Sequence, residues 1–421
     1  MRLWSIKILL FFSILFLIIN YPIYTLAQEQ PNVQILLDGY PVTFDVAPII
    51  KDGRTLVPFR AIAEALGVLI EWDDKTRTIT ATDGKNNIKL QIGNKVAYLN
   101  NDEIFLDVPP QIVNDRTLIP IRFFSEAFNC KVDWDPSTYS VKITSPVKEM
   151  SILGFYALGD SKTSSWTNLF GKSYPEYAPG NTDVISWVEL GWYSADSDGN
   201  LLTKSRTGWQ RPDGWEKVLE AAGQYKIKTE MVVHVADADL TITNLLSSRD
   251  AMEKLSKAIS EEAKFYDGVN LDFEGLGLNE TGDALSITKQ RFTEFVKLLR
   301  NDLDKSKTLT LSLHAPNSAY KGYDYRSLGE VADKIIVMAY DYGTKPEPEK
   351  LVVQAIEQAL KDVPKKKLIL GISVPSETPE SVAVKIGLAK RYGLNGIALW
   401  RLGLITDEMW NVLRNTVSAQ R

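Results

Sequence analysis

From residue 150 onward the chain alternates between two kinds of apolar segment. Short, nearly continuous apolar runs stand at 152–156, 183–190, 228–235, 268–273, 308–314, 334–340, 368–374 and 396–400. Longer stretches with helical spacing lie between them, as at 252–265, 290–304, 351–361 and 379–392. Runs apolar on both faces predict parallel strands buried on both sides, and the longer stretches predict crossover helices. Eight strands, each but the last followed by a helix, within about 270 residues predict a (β/α)8 TIM barrel. A doubly wound open sheet is the alternative, but no glycine-rich phosphate loop follows the first strand.

The preceding third is patterned differently. The segment IKDGRTLVPFRAIAEALGVLIEWDDKTRTIT, from Ile50, returns as IVNDRTLIPIRFFSEAFNCKVDWDPSTYSVKI, from Ile112. Arg54 aligns with Arg116, Pro58 with Pro120, Arg60 with Arg122, Glu64 with Glu126 and Trp72 with Trp134, always at an offset of 62. Such a period marks a structural repeat. Each unit predicts a short strand, a helix opened by its proline and a β-hairpin. The fold class is therefore α/β: a TIM barrel over 147–421, preceded by a small α+β repeat domain over 28–146.

Composition narrows the setting. The 421 residues are 44% hydrophobic and 24% charged, enough for two or three globular domains. A net charge of −5 with no long basic run excludes nucleic acid as a charge-driven partner. Cys130 stands alone, so no internal disulfide forms, and it is read as a small buried apolar residue. At the N-terminus Arg2 and Lys7 precede an apolar run over 8–19, and Thr25-Leu26-Ala27 offers small residues for cleavage. That pattern predicts a secretory signal over 1–27 and a secreted or envelope-associated protein. An uncleaved anchor stays open, although the run is short for a membrane span.

The candidate chemistry sits on the fourth strand, FYDGVNLDFEGL. Strand side chains alternate, so Val269, Leu271 and Phe273 share one face while Asn270, Asp272 and Glu274 share the other. The apolar trio must pack on helices, which aims the polar trio into the barrel or its mouth. Polar groups aimed at a core are costly unless paired, which favours a functional reading over a solvated face.

These residues resemble the DxxDxDxE signature of glycoside hydrolase family 18, with Asp267, Asp272 and Glu274 matching and Asn270 departing from the usual Asp. MAYD, from Met338 to Asp341, ends the sixth strand and Trp400 the eighth, as in that family. DGVNLDFE and the closing LWRLG look like the branch of spore-cortex and peptidoglycan N-acetylglucosaminidases. The resemblance implies substrate-assisted, retaining hydrolysis of polymers containing N-acetylglucosamine, chitin or peptidoglycan. Glu274 would be general acid and base, Asp272 would orient the 2-acetamido group, and Tyr340 would donate to its oxygen. Asp267, Asn270, Met338, Asp341 and Trp400 would bind or support the sugar. The charge of Asp272 would favour a protonated Glu274. The repeats resemble the copper amine oxidase N-terminal-like, or stalk, domain, yet offer no His or Cys cluster for copper. They are read as a spacer or wall-contact module, with Arg54, Arg60 and their counterparts as structural ion-pair partners.

No cofactor is expected. His234 and His314, the only histidines, fall on the third and fifth strands, on opposite sides of the barrel order and without a third ligand, so no metal is expected either. Trp187, Trp192, Trp209 and Trp215 could form a sugar-stacking wall or core. A sugar-binding barrel without catalysis remains the competing function.

Overall fold

The structure is a computed structural model describing residues 32–157, 162–204 and 210–421. The signal read over 1–27 and Trp209 lie outside the described residues. No described helix is long and apolar enough to cross a membrane.

Eight parallel strands close the barrel: β1 (Lys148–Tyr156), β2 (Trp187–Ala195), β3 (Lys228–Ala236), β4 (Gly268–Glu274), β5 (Thr308–His314), β6 (Lys334–Met338), β7 (Leu368–Ser373) and β8 (Gly396–Trp400). Each pairs with the next, and β1 pairs with both β2 and β8, which completes the cylinder. The barrel expected from the apolar runs is thus present. Three strands differ clearly from expectation, and the first of them, β1, begins four residues early, at Lys148. β2 begins at Trp187 and runs on to Ala195, where Ser194 and Ala195 pair with Leu201–Leu202. β6 stops at Met338, and Asp341 beyond it takes a left-handed backbone, φ 63°. Beyond β8 a helix, Asp407–Thr416, leads to Val417–Ala419, which extends the sheet beside the start of β1.

The alternation on β4 resolves as expected. Val269, Leu271 and Phe273 are fully buried outside the cylinder. Phe273 stacks against Phe292 and Phe295 of the long helix Gly282–Asp302, with centroids 6.0 and 5.7 Å away. The Tyr323 hydroxyl donates to the Phe273 carbonyl at 2.8 Å. These contacts fix the end of β4, and with it the side chains on either side of Phe273.

Inside the cylinder, below the mouth, lies a closed polar layer. Glu189 of β2 and Glu230 of β3 are fully buried. Lys334 of β6 pairs with Glu230 at 3.2 Å, and its ammonium lies 3.2 Å from the centre of the Trp187 ring. Thr308 also donates to Glu230. Asn270 donates to Glu189 and accepts from Ser312, both at 3.0 Å. Burial, reinforced by the charge of Glu230, pushes the Glu189 carboxyl well above its ordinary value, against weaker opposition from Lys334. One cation then balances one carboxylate.

The N-terminal domain repeats a hairpin, a helix and a second hairpin. The first unit runs through Arg54–Pro58, Phe59–Leu66, Leu69–Asp73 and Thr78–Thr82; the second through Arg116–Pro120, Ile121–Ala127, Lys131–Asp135 and Ser140–Thr144. The two proline-ended strands pair antiparallel, Ile119 opposite Val57. The duplicated arginines form ion pairs that cross between units: Arg54 with Asp107 at 2.6 Å and Arg116 with Asp45 at 2.5 Å. Among the described residues Arg60 and Arg122 form no such pair. The strand Gln34–Leu37 lies parallel to Ser140–Ile143 and completes the second unit's sheet.

The domain rests on the barrel helix Pro379–Arg391. Asp38 accepts from the Ser145 amide and hydroxyl at 2.8 and 2.6 Å, and Lys390 stands 4.0 Å away. A side chain at Gly387 would lie 2.4 Å from the Asp38 β-carbon, so only glycine permits this approach. Cys130 is buried near this junction, and burial pushes its thiol up to about 12.

Candidate active site

At the C-terminal ends of the strands, the usual working face of such barrels, a cleft of about 320 Å³ opens. Asp272 and Glu274 of β4 line it, with Met338 at the end of β6, Tyr340 and Asp341 after it, and Trp400 of β8. These six residues, scattered over 129 positions of sequence from Asp272 to Trp400, meet in one place. Phe155 and Tyr156 of β1, His234 of β3, His314 of β5 and Ser373 of β7 complete much of the wall.

Asp267 and Asn270 lie elsewhere. Asp267 precedes β4 at its opposite end and accepts from the Thr229 amide at 2.8 Å. Seven residues of strand put it about 23 Å from Glu274, so it holds β3 to β4 rather than sugar. Asn270 belongs to the closed layer with Glu189 and Ser312, and no bond joins it to Asp272. Both corrections have the same cause: the motif spans the whole strand, while only its last residues reach the mouth. Of the two readings of the tryptophans, core holds for those described. Trp187 and Trp192 are buried, and Trp215 packs against Trp192, Phe265 and Tyr266; none lines the cleft.

Several features hold the cleft in shape. A side chain on Gly371 of β7 would stand 3.1 Å from the Tyr340 ring, so this glycine makes room for the phenol. Buried Glu347 accepts from the Asp341 and Tyr342 amides at 3.1 and 3.0 Å, fixing the left-handed turn that presents Asp341. Glu347 was not foreseen, because its role depends on a turn geometry that the MAYD letters do not encode.

The histidines were misjudged. Strands 3 and 5 both flank strand 4, so their ends face the same acid. His234 sits opposite Asp272 in the β3–β4 register. Its Nε2 stands 3.6 Å from one Glu274 oxygen, and the Nε2 of His314 stands 3.9 Å from the other. His234, Asp272 and Glu274 each place a ligand atom within 4.8 Å of the others. Position at the ends of the two strands beside the acid was the signal available in the sequence.

These neighbours set the protonation of the pair. Burial, and then the charge of Glu274, push Asp272 up to about 7. Burial also pushes Glu274 up, but His234 and the charge of His314 outweigh it and hold that carboxyl below its ordinary value. His234 itself, disfavoured by burial, is raised to about 8 by Glu274 and Asp272. Of the pair, the carboxyl pushed up is therefore that of Asp272, and the one held down is that of Glu274. Asp272 Oδ1 is buried without a hydrogen-bond partner, on a residue only 8% exposed. Burial and the charges of Asp272 and Glu274 also raise the Tyr340 phenol, which keeps its proton and remains a donor.

A parallel barrel with a carboxyl pair at its mouth is the class that fold and cleft define, and residues 239–376 match the family model of glycosyl hydrolases family 18. Residues 36–143 match the copper amine oxidase N-terminal domain. Among relatives, the chain is similar to the uncharacterized glycosylase YvbX of Bacillus subtilis, 26% identical over 52% of this chain and 66% of that protein. It is also similar to the cortical fragment-lytic enzyme of the same organism, 27% identical over 30% of this chain and 31% of the relative. The chain thus spans two-thirds or less of the curated relatives it matches. The spore cortex-lytic enzyme SleL of Bacillus cereus superposes with a TM-score of 0.52 at 15% identity, covering 66% of this chain and 76% of SleL. At that identity the likeness establishes the fold.

Proposed function

We propose that the chain is an exported glycosidase that hydrolyses β-linked N-acetylglucosamine polymers, with Glu274 as general acid and base. The observation that carries this reading is Asp272 Oδ1, a buried, unpartnered carboxyl oxygen lining the cleft two residues from Glu274. An acetamido N–H is the kind of donor it lacks. With that donor bound, the ionised form of Asp272 is favoured, and its proton passes to Glu274, where the leaving group needs it.

The bond changes then balance. The 2-acetamido oxygen attacks the anomeric carbon as the glycosidic oxygen departs with the proton of Glu274, leaving a cyclic oxazolinium ion. Asp272 steadies that cation and Tyr340 donates to the acetamido oxygen. Water, deprotonated by Glu274, opens the ring and restores the starting configuration. Trp400 offers an apolar face to the sugar, and Met338 and Asp341 line its pocket. Asp267 and Asn270 support the barrel beneath.

Wall glycan is favoured over chitin by the names of the relatives, which include a cortical fragment-lytic enzyme. Export rests on the sequence of the first 27 residues. The stalk repeats are proposed to contact the wall. Incubation with chitin oligomers and with peptidoglycan, followed by identification of new reducing ends, tests the reading. N-acetylglucosamine ends from peptidoglycan are expected; no new ends from either polymer would overturn it.

A further inference from the structure

The two histidines of the cleft have no part in the proposed hydrolysis, yet they bracket its acid from both sides. Four groups converge there from three adjacent strands: His234 from β3, Asp272 and Glu274 from β4, and His314 from β5. The imidazole nitrogens address different oxygens of Glu274, at 3.6 and 3.9 Å. Both separations are too long for hydrogen bonds. The carboxylate lies between two rings, in long ion-pair contact with each when the imidazoles are charged.

Other features fit a bound cation. Asp272 Oδ1 is buried and unpartnered beside them. The His314 ring stacks on Tyr320 with centroids 4.1 Å apart, which holds its orientation. In a tetrahedral site with metal–ligand bonds of about 2.0–2.1 Å, neighbouring ligand atoms stand roughly 3.3 Å apart. The His234, Asp272 and Glu274 atoms already lie within 4.8 Å of one another. His314 stands outside that group, with its Nε2 3.9 Å from the second Glu274 oxygen.

We propose that His234, Asp272 and Glu274, with His314 as a fourth donor, form a site for a late first-row divalent cation of the zinc class, and that the ion shuts off the cleft. Two imidazoles with carboxylates suit zinc, cobalt or nickel; magnesium and calcium prefer oxygen donors throughout. The ion would take the carboxyls that the acid step uses, so metal binding and turnover exclude one another. The site itself rests on the distances, independent of the proposed activity; only the inhibition depends on that reading.

The test uses the full chain stripped with chelator. Zn²⁺ is titrated by calorimetry, and Co²⁺ by its visible absorption, which reports ligand geometry without any reference to activity. One ion per chain is expected, with affinity weakened at least about tenfold in His234→Gln and, separately, in His314→Gln. Circular dichroism confirms that each variant is folded. Hydrolysis should fall in step with Zn²⁺ occupancy and return with EDTA. Absent binding, equal binding by wild type and both variants, or equal competition from Mg²⁺ would overturn the site. Zn²⁺ bound through the histidines in a chain that hydrolyses neither polymer would leave the site standing and overturn the glycosidase reading. Hydrolysis without Zn²⁺ binding would do the reverse.

Discussion

The barrel holds two clusters of charge within a few residues of each other along the same strands, and they are built to opposite ends. The lower cluster, Glu189, Glu230 and Lys334 with Asn270, is sealed between the strands. The upper one, Asp272 and Glu274 with His234 and His314, opens to solvent at the mouth. Both contain an orphaned carboxyl oxygen, so unmet hydrogen-bond capacity alone does not mark a site. Access does. The lower carboxyls share their burial with a fixed cation, whereas the upper pair faces a cleft in which a ligand can complete them.

The sharpest way to break this contrast is at its lower half. Lys334→Met leaves the buried Glu230 carboxylate without its cation, and we expect a loss of about 3–5 kcal/mol in urea unfolding. An unchanged midpoint would mean that the layer is hydrated and not sealed. At the upper half, Glu274→Gln keeps shape but cannot deliver a proton. Turnover should fall at least about 10²-fold, with stability and sugar binding nearly intact; a variant near wild-type rate would remove Glu274 from the chemistry.

A subtler effect separates the layers by pH. The Glu189 carboxyl is raised by burial and by Glu230 above the 4.5 of an unfolded chain. Its stabilising contribution is complete below that pH and is lost as pH climbs through the raised value. The contribution of this group to the unfolding free energy should therefore decline as pH rises above about 4.5, and Glu189→Gln should remove that part of the decline. Parallel curves would place the proton elsewhere. The smallest expected effect is none: exhaustive EDTA should not lower the hydrolysis rate, and a loss restored by Zn²⁺ would make the cation a participant instead of an inhibitor.

The contrast also explains what the sequence could convey. Alternation along 268–274 revealed which side chains of β4 face inward, because period two is a local property. It could not tell depth. Asn270 and Asp272 share a face, yet one is locked to Glu189 and the other meets the cleft. Asp267 completes the motif in letters while standing at the far end of the strand. Glu189 and Glu230 were visible as charges inside apolar runs, but their partnership with Lys334 joins three strands that only barrel closure brings together. The histidines were missed by treating the strands on either side of β4 as distant, when closure makes them its nearest neighbours. In the N-terminal domain the offset of 62 exposed the duplication at once. The crossing of its arginine pairs remained hidden, since each Arg meets the other unit's Asp.

The parallel pairing of Gln34–Leu37 with Ser140–Ile143 has a mechanical meaning. Chain enters the domain at the start of one strand and leaves toward the barrel from the far end of its neighbour. The two points are about 13 Å apart, one strand length of four residues. The domain therefore hangs beside the polypeptide's path and adds little reach as a spacer. A pull between Val33 and the barrel would drag these strands lengthwise past each other, loading every hydrogen bond between them together. The Asp38 clasp on Ser145 lies along the same line of force. Such a joint resists tension in shear, where a hairpin peeled from one end would open bond by bond.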